Sequence, residues 1–221
     1  MIPKIIHQMG PDKEINWPYI WVEGHKLMKQ TFPEFEHKLW RNSEVFPFVE
    51  KHYPQYLKLM HKLPSITKLD FFRNVLMYHF GGLYFDLDFL VYKNFYNILK
   101  HDKPTIIEGM YKHTLNEKVQ NNFFASPAKH KTWLRVMDEV GINFETIDRS
   151  DTWYNKVMKI SSSLFFTNYV NKFPDDFNIL PRDPFNLTQE ECAKLKESDI
   201  PCRHLGTGVW LDERNDTLRR T

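Results

Sequence analysis

Between Ser65 and Gly82 the apolar residues Ile66, Leu69, Phe72, Leu76 and Phe80 recur at helical spacing, and Gly81-Gly82 supplies the stop expected after a helix. A nearly continuous apolar run follows, Leu83-Tyr84-Phe85-Asp86-Leu87-Asp88-Phe89-Leu90-Val91, which reads as a buried strand carrying two carboxylates. Upstream, Pro3 to Gln8 reads as a short buried strand, Gly10-Pro11-Asp12 as a break, and Trp17 to Gln30 as a helix. Phe35 to Trp40 alternates like a second strand, Asn42-Ser43 caps a helix up to His52, and Pro54 opens a further short helix.

Downstream, Thr105 to Glu108 and Val119 to Ala125 read as strands. Lys129 to Val140 reads as a surface helix that ends at Gly141, with Trp133 and Met137 inward. Ser161-Ser162-Ser163 is placed to cap a helix through Val170, after which Pro174, Pro181, Pro184 and Pro201 cut the chain into loops and short pieces. This alternation of strands and helices predicts an α/β domain, and 221 residues suit one domain over the whole of 1–221.

Charge narrows the function. Lys and Arg total 30 against 28 Asp and Glu, so no strong field recruits nucleic acid or an anionic membrane non-specifically, and small-molecule chemistry fits better. No apolar run has the length of a membrane span, and the N-terminal stretch is too short for a signal peptide, which predicts a cytoplasmic protein that meets a membrane through its acceptor if at all. Cys192 and Cys202 match no zinc or redox spacing and leave the redox compartment and their pairing open. Two N-glycosylation triplets, at Asn186 and Asn215, matter only in a secreted protein.

The chemistry concentrates between Asp70 and Asp88. A charge buried among Leu, Phe and Tyr needs a partner or a metal. In an extended segment residues two apart point the same way, so Asp86 and Asp88 would present oxygens to one side while Leu87 turns into the core. Carboxylate and water ligands favour magnesium or manganese, which bridge protein carboxylates to phosphates. Glu34-Phe35-Glu36 has the same spacing in a polar setting, so context separates the two motifs. Asp70 and Arg73, three apart on the helix, are either a surface ion pair or a grip for the vicinal hydroxyls of a sugar.

These segments resemble the glycosyltransferases whose sugar-binding region contains the Asp-x-Asp motif, a group that includes yeast initiating mannosyltransferases, capsule-building enzymes and, distantly, clostridial glucosylating toxins. Ile2-Pro3-Lys4-Ile5-Ile6-His7-Gln8 is similar to the family's first strand, Pro33 to Trp40 to its second, and Asp70-Phe71-Phe72-Arg73 through Gly81-Gly82 to Asp88 to its core motif. Asn121 to Pro127 and His204 to Trp210 continue the likeness. The resemblance implies a GT-A type fold, Rossmann-like, with a central mixed sheet flanked by helices. It further implies a metal-dependent hexosyltransferase that uses a nucleotide-sugar donor, a UDP-hexose or GDP-mannose, and a glycan or other hydroxyl acceptor, with retention of configuration.

By the same resemblance Asp86, Asp88 and His204 would hold Mn2+ or Mg2+, with Asp86, Asp88 and Arg73 as the catalytic set. Asp70, Arg73, His7, Gln8, Asn121, Thr207 and Trp210 would bind substrate, His7-Gln8 lying near the base. The chain departs from the pattern in two places: Met9-Gly10 stands where many members have a Trp after the first strand, and Val209 stands where a serine often precedes the final Trp, leaving Thr207 as the substitute hydroxyl. Glu108 or Asp183 would be the general base of an inverting enzyme. The rival readings are a metal-dependent phosphohydrolase and a non-catalytic sugar-binding module.

Overall fold

A computed structural model describes residues 1–111 and 117–208 of the chain. The strands are β1 (Ile5–Gly10), β2 (Glu36–Arg41), β3 (Gly82–Phe85), β4 (Phe89–Val91), β5 (Thr105–Glu108), β6 (Val119–Ser126), β7 (Asn178–Leu180) and β8 (Cys202–His204). The principal helices are α1 (Tyr19–Thr31), α2 (Asn42–His52), α3 (Leu57–Lys62), α4 (Ser65–His79), α5 (Thr132–Thr146), α6 (Trp153–Ile160) and α7 (Ser163–Lys172).

Six strands form a mixed sheet in the order β2-β1-β3-β6-β5-β7, and β4 pairs with β8 in a separate antiparallel ribbon. The β2-β1-β3 part is parallel, β6 runs antiparallel to both β3 and β5, and β5 pairs in parallel with β7. The strand periodicity of two divides β3 between two cores. Tyr84 faces the core built with Phe71, Phe72, Phe124, Trp133 and Phe166, whereas Leu83 and Phe85 face the one built with Met28, Phe32, Phe89 and Phe123. This is the α/β GT-A type architecture expected, with helices packed on a central mixed sheet.

Several elements differ from expectation. The apolar run 83–91 is not one strand: β3 stops at Phe85, and Asp86-Leu87-Asp88 is a turn in which the Phe89 N–H returns to the Asp86 carbonyl at 3.2 Å. The two carboxylates therefore converge through a turn and not through the pleat of a strand. Helix α5 runs through Gly141 to Thr146, so the glycine expected to end the helix lies inside it, beside the Leu59 side chain. Helix α4 is buried from Asp70 to Met77 around most of its circumference, so the helix face bearing Asp70 and Arg73 is interior too. The cap of α2 is supplied by Asp12, which accepts from Ser43 N–H and Oγ–H, and by Glu44 reaching back to the Arg41 N–H at 2.7 Å. The strands β7 and β8 lie in the proline-cut region that read as loops, and helix α6 lies ahead of the serine run, where no element was expected.

Helix α1 approaches the β3–β4 turn so closely that a Cβ on Gly24 would stand 2.7 Å from the Leu87 carbonyl oxygen and 2.8 Å from that of Phe89. Glycine is what lets the helix seat there. At the end of β1 a Cβ on Gly10 would meet the Trp17 indole at 2.6 Å, and the Arg41 guanidinium lies 5.1 Å above that ring. Trp17 thus packs against the end of β1 at Gly10. No described helix is long and apolar enough to cross a membrane.

Candidate sugar and metal site

Asp86 leaves the end of β3 with its backbone N–H on the Asn122 carbonyl of β6, and Tyr84, two residues earlier on the same strand, donates its hydroxyl to Asp86 Oδ1 at 2.7 Å. Asp88 follows one turn later. The β4–β8 register places His204 opposite Phe89, so His204 Nε2 comes within 3.3 Å of Asp88 Oδ1 and its ring stacks on Phe89. The other oxygen of Asp88 receives the Thr207 N–H at 2.8 Å and the Thr207 hydroxyl at 3.0 Å. Gly206 and Gly208 flank Thr207 with φ of +56° and +60°, a backbone region that glycine enters without strain, and this bends the segment onto Asp88. Trp21 of α1 closes the outer side, its indole N–H 3.4 Å from Thr207 Oγ1.

One ligand atom from each of Asp86, Asp88 and His204 lies within 4.8 Å of the others, and among the described residues this is the one such group of three. Two carboxylate oxygens and an imidazole nitrogen suit Mg2+ or Mn2+, so the residues fit the cation that the sequence implied.

Arg73 links this group to a second one on α4. Its guanidinium lies 3.0 Å from Asp70 Oδ1, 3.4 Å from Asp86 Oδ1 and 2.6 Å from the Asn121 carbonyl, and packs 4.9 Å over the Tyr84 ring. Asp70 also accepts from Asn121 Nδ2 at 3.1 Å and from Ser161 Oγ at 2.8 Å, and Ser162 donates to Asn121 Oδ1. Two of the three serines expected to cap α7, Ser161 and Ser162, spend their hydroxyls here instead, and Ser162 occupies the N-cap without a side-chain cap bond.

Burial governs the ionisation. It pushes Asp70 up to about 6 against the pull of Arg73, and it raises Asp86 as well. At Asp88 burial also acts upward but is outweighed by hydrogen bonds from His204 and Thr207, which hold the carboxyl down at about 2. Burial would lower His204, yet Asp88 raises it above its ordinary value.

Not every expected site residue joins this cluster. His7 is fully buried, with Nε2 at 3.1 Å from the Gly81 carbonyl and Nδ1 accepting the Trp40 indole N–H, and burial drives its pKa down to about 3. Both ring nitrogens are thereby committed to locking β1 to β2 and to the double glycine. Gln8 is buried too, its Oε1 on His25 Nδ1 at 2.7 Å and its Nε2 without a partner. Glu108 has an oxygen committed to the Arg182 N–H. Trp210 and Val209 lie outside the described residues. Cys192 and Cys202 are both buried free thiols.

The sequence reading missed Tyr84, Ser161, Ser162, Asn122 and Trp21. Tyr84 carried a signal, standing two residues before Asp86. Ser161 carried none, since only the packing of the α6–α7 junction brings it to Asp70, and Asn122, 2.9 Å from His204 Nδ1, is likewise placed by strand pairing.

Residues 18–105 match the family described as the glycosyltransferase sugar-binding region containing DXD motif. Inositol phosphoceramide mannosyltransferase 1 of Schizosaccharomyces pombe is 29% identical over 92% of this chain and 56% of its own length. Mannosyltransferase 3 of the same yeast is 36% identical over 39% of this chain and 24% of its own, and mannosyl phosphorylinositol ceramide synthase SUR1 of Saccharomyces cerevisiae is 34% identical over 40% and 23%. The chain therefore spans from about a quarter to just over half the length of these relatives. Among solved structures, a glycosyltransferase involved in the glycosylation of the major capsid of PBCV-1 superposes with a TM-score of 0.53 at 10% identity, covering 99% of this chain and 100% of that one. The PaToxG glycosyltransferase gives 0.54 at 15% identity over 78% and 69%. Residues 18–105 are thus similar to the glycosyltransferase sugar-binding region that contains the DXD motif, and the chain carries that stretch on a GT-A type fold.

Proposed function

We propose that the protein transfers a hexose from a nucleotide-diphosphate sugar to a hydroxyl acceptor. The observation that carries this reading is the junction of two clusters: a carboxylate–imidazole group suited to a divalent cation, joined through Arg73 to a buried Asp70. Asp86, Asp88 and His204 would hold Mn2+ or Mg2+, and that cation supplies charge neutralisation for the departing diphosphate. Asp70 and Arg73 present an acceptor and a donor fork to the sugar hydroxyls, and Asn121 and Ser161 keep Asp70 in place. Thr207 holds Asp88 in the orientation that faces His204.

Retention through front-face attack is the mechanism this site favours. The bond from the acceptor oxygen to the anomeric carbon forms as the bond to the phosphate oxygen breaks, and the acceptor proton passes to the departing phosphate. The described cluster offers no carboxylate free of Arg73, His204 or Thr207 to serve as a nucleophile. The printed names of the curated relatives support mannose as the first donor to test and a phosphoinositol-bearing lipid as the first acceptor class to test. Against a two-metal phosphohydrolase stands the lack, among the described residues, of a second cluster of three ligands.

A donor panel tests the reading. Release of nucleotide from GDP-mannose, UDP-glucose and UDP-galactose is measured with Mn2+, with Mg2+ and with a chelator, using Asp88→Ala as the blank. Turnover of one donor that needs the cation is expected, and NMR of the anomeric proton in the product reads retention. No turnover of any nucleotide sugar, or turnover indifferent to chelation, would reject it.

A further inference from the structure

The outer face of the segment leading into α1 is apolar where a surface is ordinarily polar. Ile15 is 91% exposed, Tyr19 76% and Val22 43%. At helical spacing Tyr19, Val22, Lys26 and Lys29 fall on one stripe of α1, and the last two are exposed as well. Ile15 precedes the stripe by one turn. Lys13 stands beside it, while Glu14 is paired with Arg41 on β2 and so adds no net charge to the face. Glu23 on α1 and Asp12, which precedes Lys13 and accepts from Ser43, are the remaining acids near the face. The result is an apolar tip followed by lysines, the pattern of a helix that lies in a lipid interface with its apolar side chains inserted and its ammonium groups at the headgroups.

The position of this ridge connects it to the site. Trp21, on the inner side of α1, contacts Thr207, which holds Asp88, and Gly24 seats the helix on the carbonyls of the β3–β4 turn. One helix, about 10 Å across, separates the ridge from the acidic cluster. A bilayer touching the ridge would hold the headgroup of a membrane-borne acceptor beside the site.

We infer that Ile15, Tyr19 and Val22, with Lys13, Lys26 and Lys29, dock this protein on an anionic lipid surface. Apolar insertion supplies the contact, and the lysines select negatively charged headgroups. The docking stands apart from catalysis; only its consequence for the acceptor rests on the sugar-transfer reading.

Co-sedimentation with phosphatidylcholine vesicles, with and without phosphatidylserine, tests it in the absence of donor and metal. The protein is expected to bind the anionic vesicles and to release them at high salt. Ile15→Ser with Tyr19→Ser and Val22→Ser should weaken binding at least about tenfold, with transfer to a water-soluble acceptor unchanged. Lys26→Glu with Lys29→Glu should cost at least about fivefold per lysine, the equivalent of about 1 kcal/mol each, on anionic vesicles alone. Asp88→Ala should bind vesicles like the unaltered protein, so a failed transfer assay and a failed docking assay are separately visible. Vesicle binding that is absent, or equal in the triple variant, overturns the inference. So does a dimer in sedimentation that the triple variant dissolves, which would assign the ridge to a second copy of the chain.

Discussion

Arg73 and Asp86 lie on different elements, yet their side chains meet at 3.4 Å while the same guanidinium holds Asp70 at 3.0 Å. One cation thus bridges the proposed sugar pocket and the proposed metal site, and it does so in a nearly dry setting where a lost partner is expensive.

Shortening this bridge separates the two halves. Arg73→Lys keeps the charge but lacks the fork needed to reach both carboxylates and the Asn121 carbonyl. We expect kcat for sugar transfer to fall by about 10²-fold or more, with nucleotide affinity changed much less. Equal losses in both, measured by initial rates and by equilibrium titration of the nucleoside diphosphate, would make Arg73 a structural residue.

Asp88 should dominate cation binding because burial has been overcome there by donated hydrogen bonds, leaving it ionised down to about pH 2. Asp88→Asn is expected to weaken Mn2+ binding, read by calorimetry or by the Mn2+ electron-spin resonance signal, by at least about tenfold. His204→Ala should weaken it less, since an imidazole contributes no formal charge when neutral. Undiminished binding in Asp88→Asn would remove the acidic turn from the metal site.

Asp70 predicts a pH signature. Its folded pKa, about 6, stands above its ordinary 3.8, so the unfolded chain ionises first as pH rises and the native state loses stability from about pH 4 until ionisation is complete above 6. The interval corresponds to about 3 kcal/mol. Asp70→Asn cannot ionise, and its stability relative to the unaltered protein should rise across this window in urea melts taken from pH 4 to 7. A difference that is flat with pH would show that Arg73 and Ser161 already compensate the buried charge.

Gly24 tests the seating of α1. A methyl group there meets two backbone carbonyls under 3 Å, and neither can rotate away. Gly24→Ala should cost about 1–3 kcal/mol and should weaken cation binding through displacement of the 86–88 turn, even though alanine favours helices. A thermal melt at or above that of the unaltered protein would refute the close approach.

How much of this was legible before folding depends on sequence distance. The helix bearing Asp70 and Arg73, the double-glycine stop and the Asp86/Asp88 pair lie within 24 consecutive positions, 65 to 88, and the positional periodicity of side chains is a local property that such a window contains. The strand at Ile5–Gly10 and its partner at Glu36–Arg41 were readable for the same reason. The extended 83–91 strand failed because an apolar run looks alike whether it is one strand or two joined by a buried turn. Gly141 failed because α5 continues through it to Thr146, so this glycine marks no helix end.

What the sequence settled by itself is therefore the α/β class and the identity of the charged groups, since burying such carboxylates and a guanidinium together is too costly to occur without partners. What tertiary structure alone decided is who those partners are. Ser161 reaches Asp70 across 91 residues and Thr207 reaches Asp88 across 119, and His7 proves to be a lock within the sheet. Such pairings depend on strand order and on the β4–β8 ribbon, which no short window of residues encodes, because contact between distant segments is fixed by how complete elements pack.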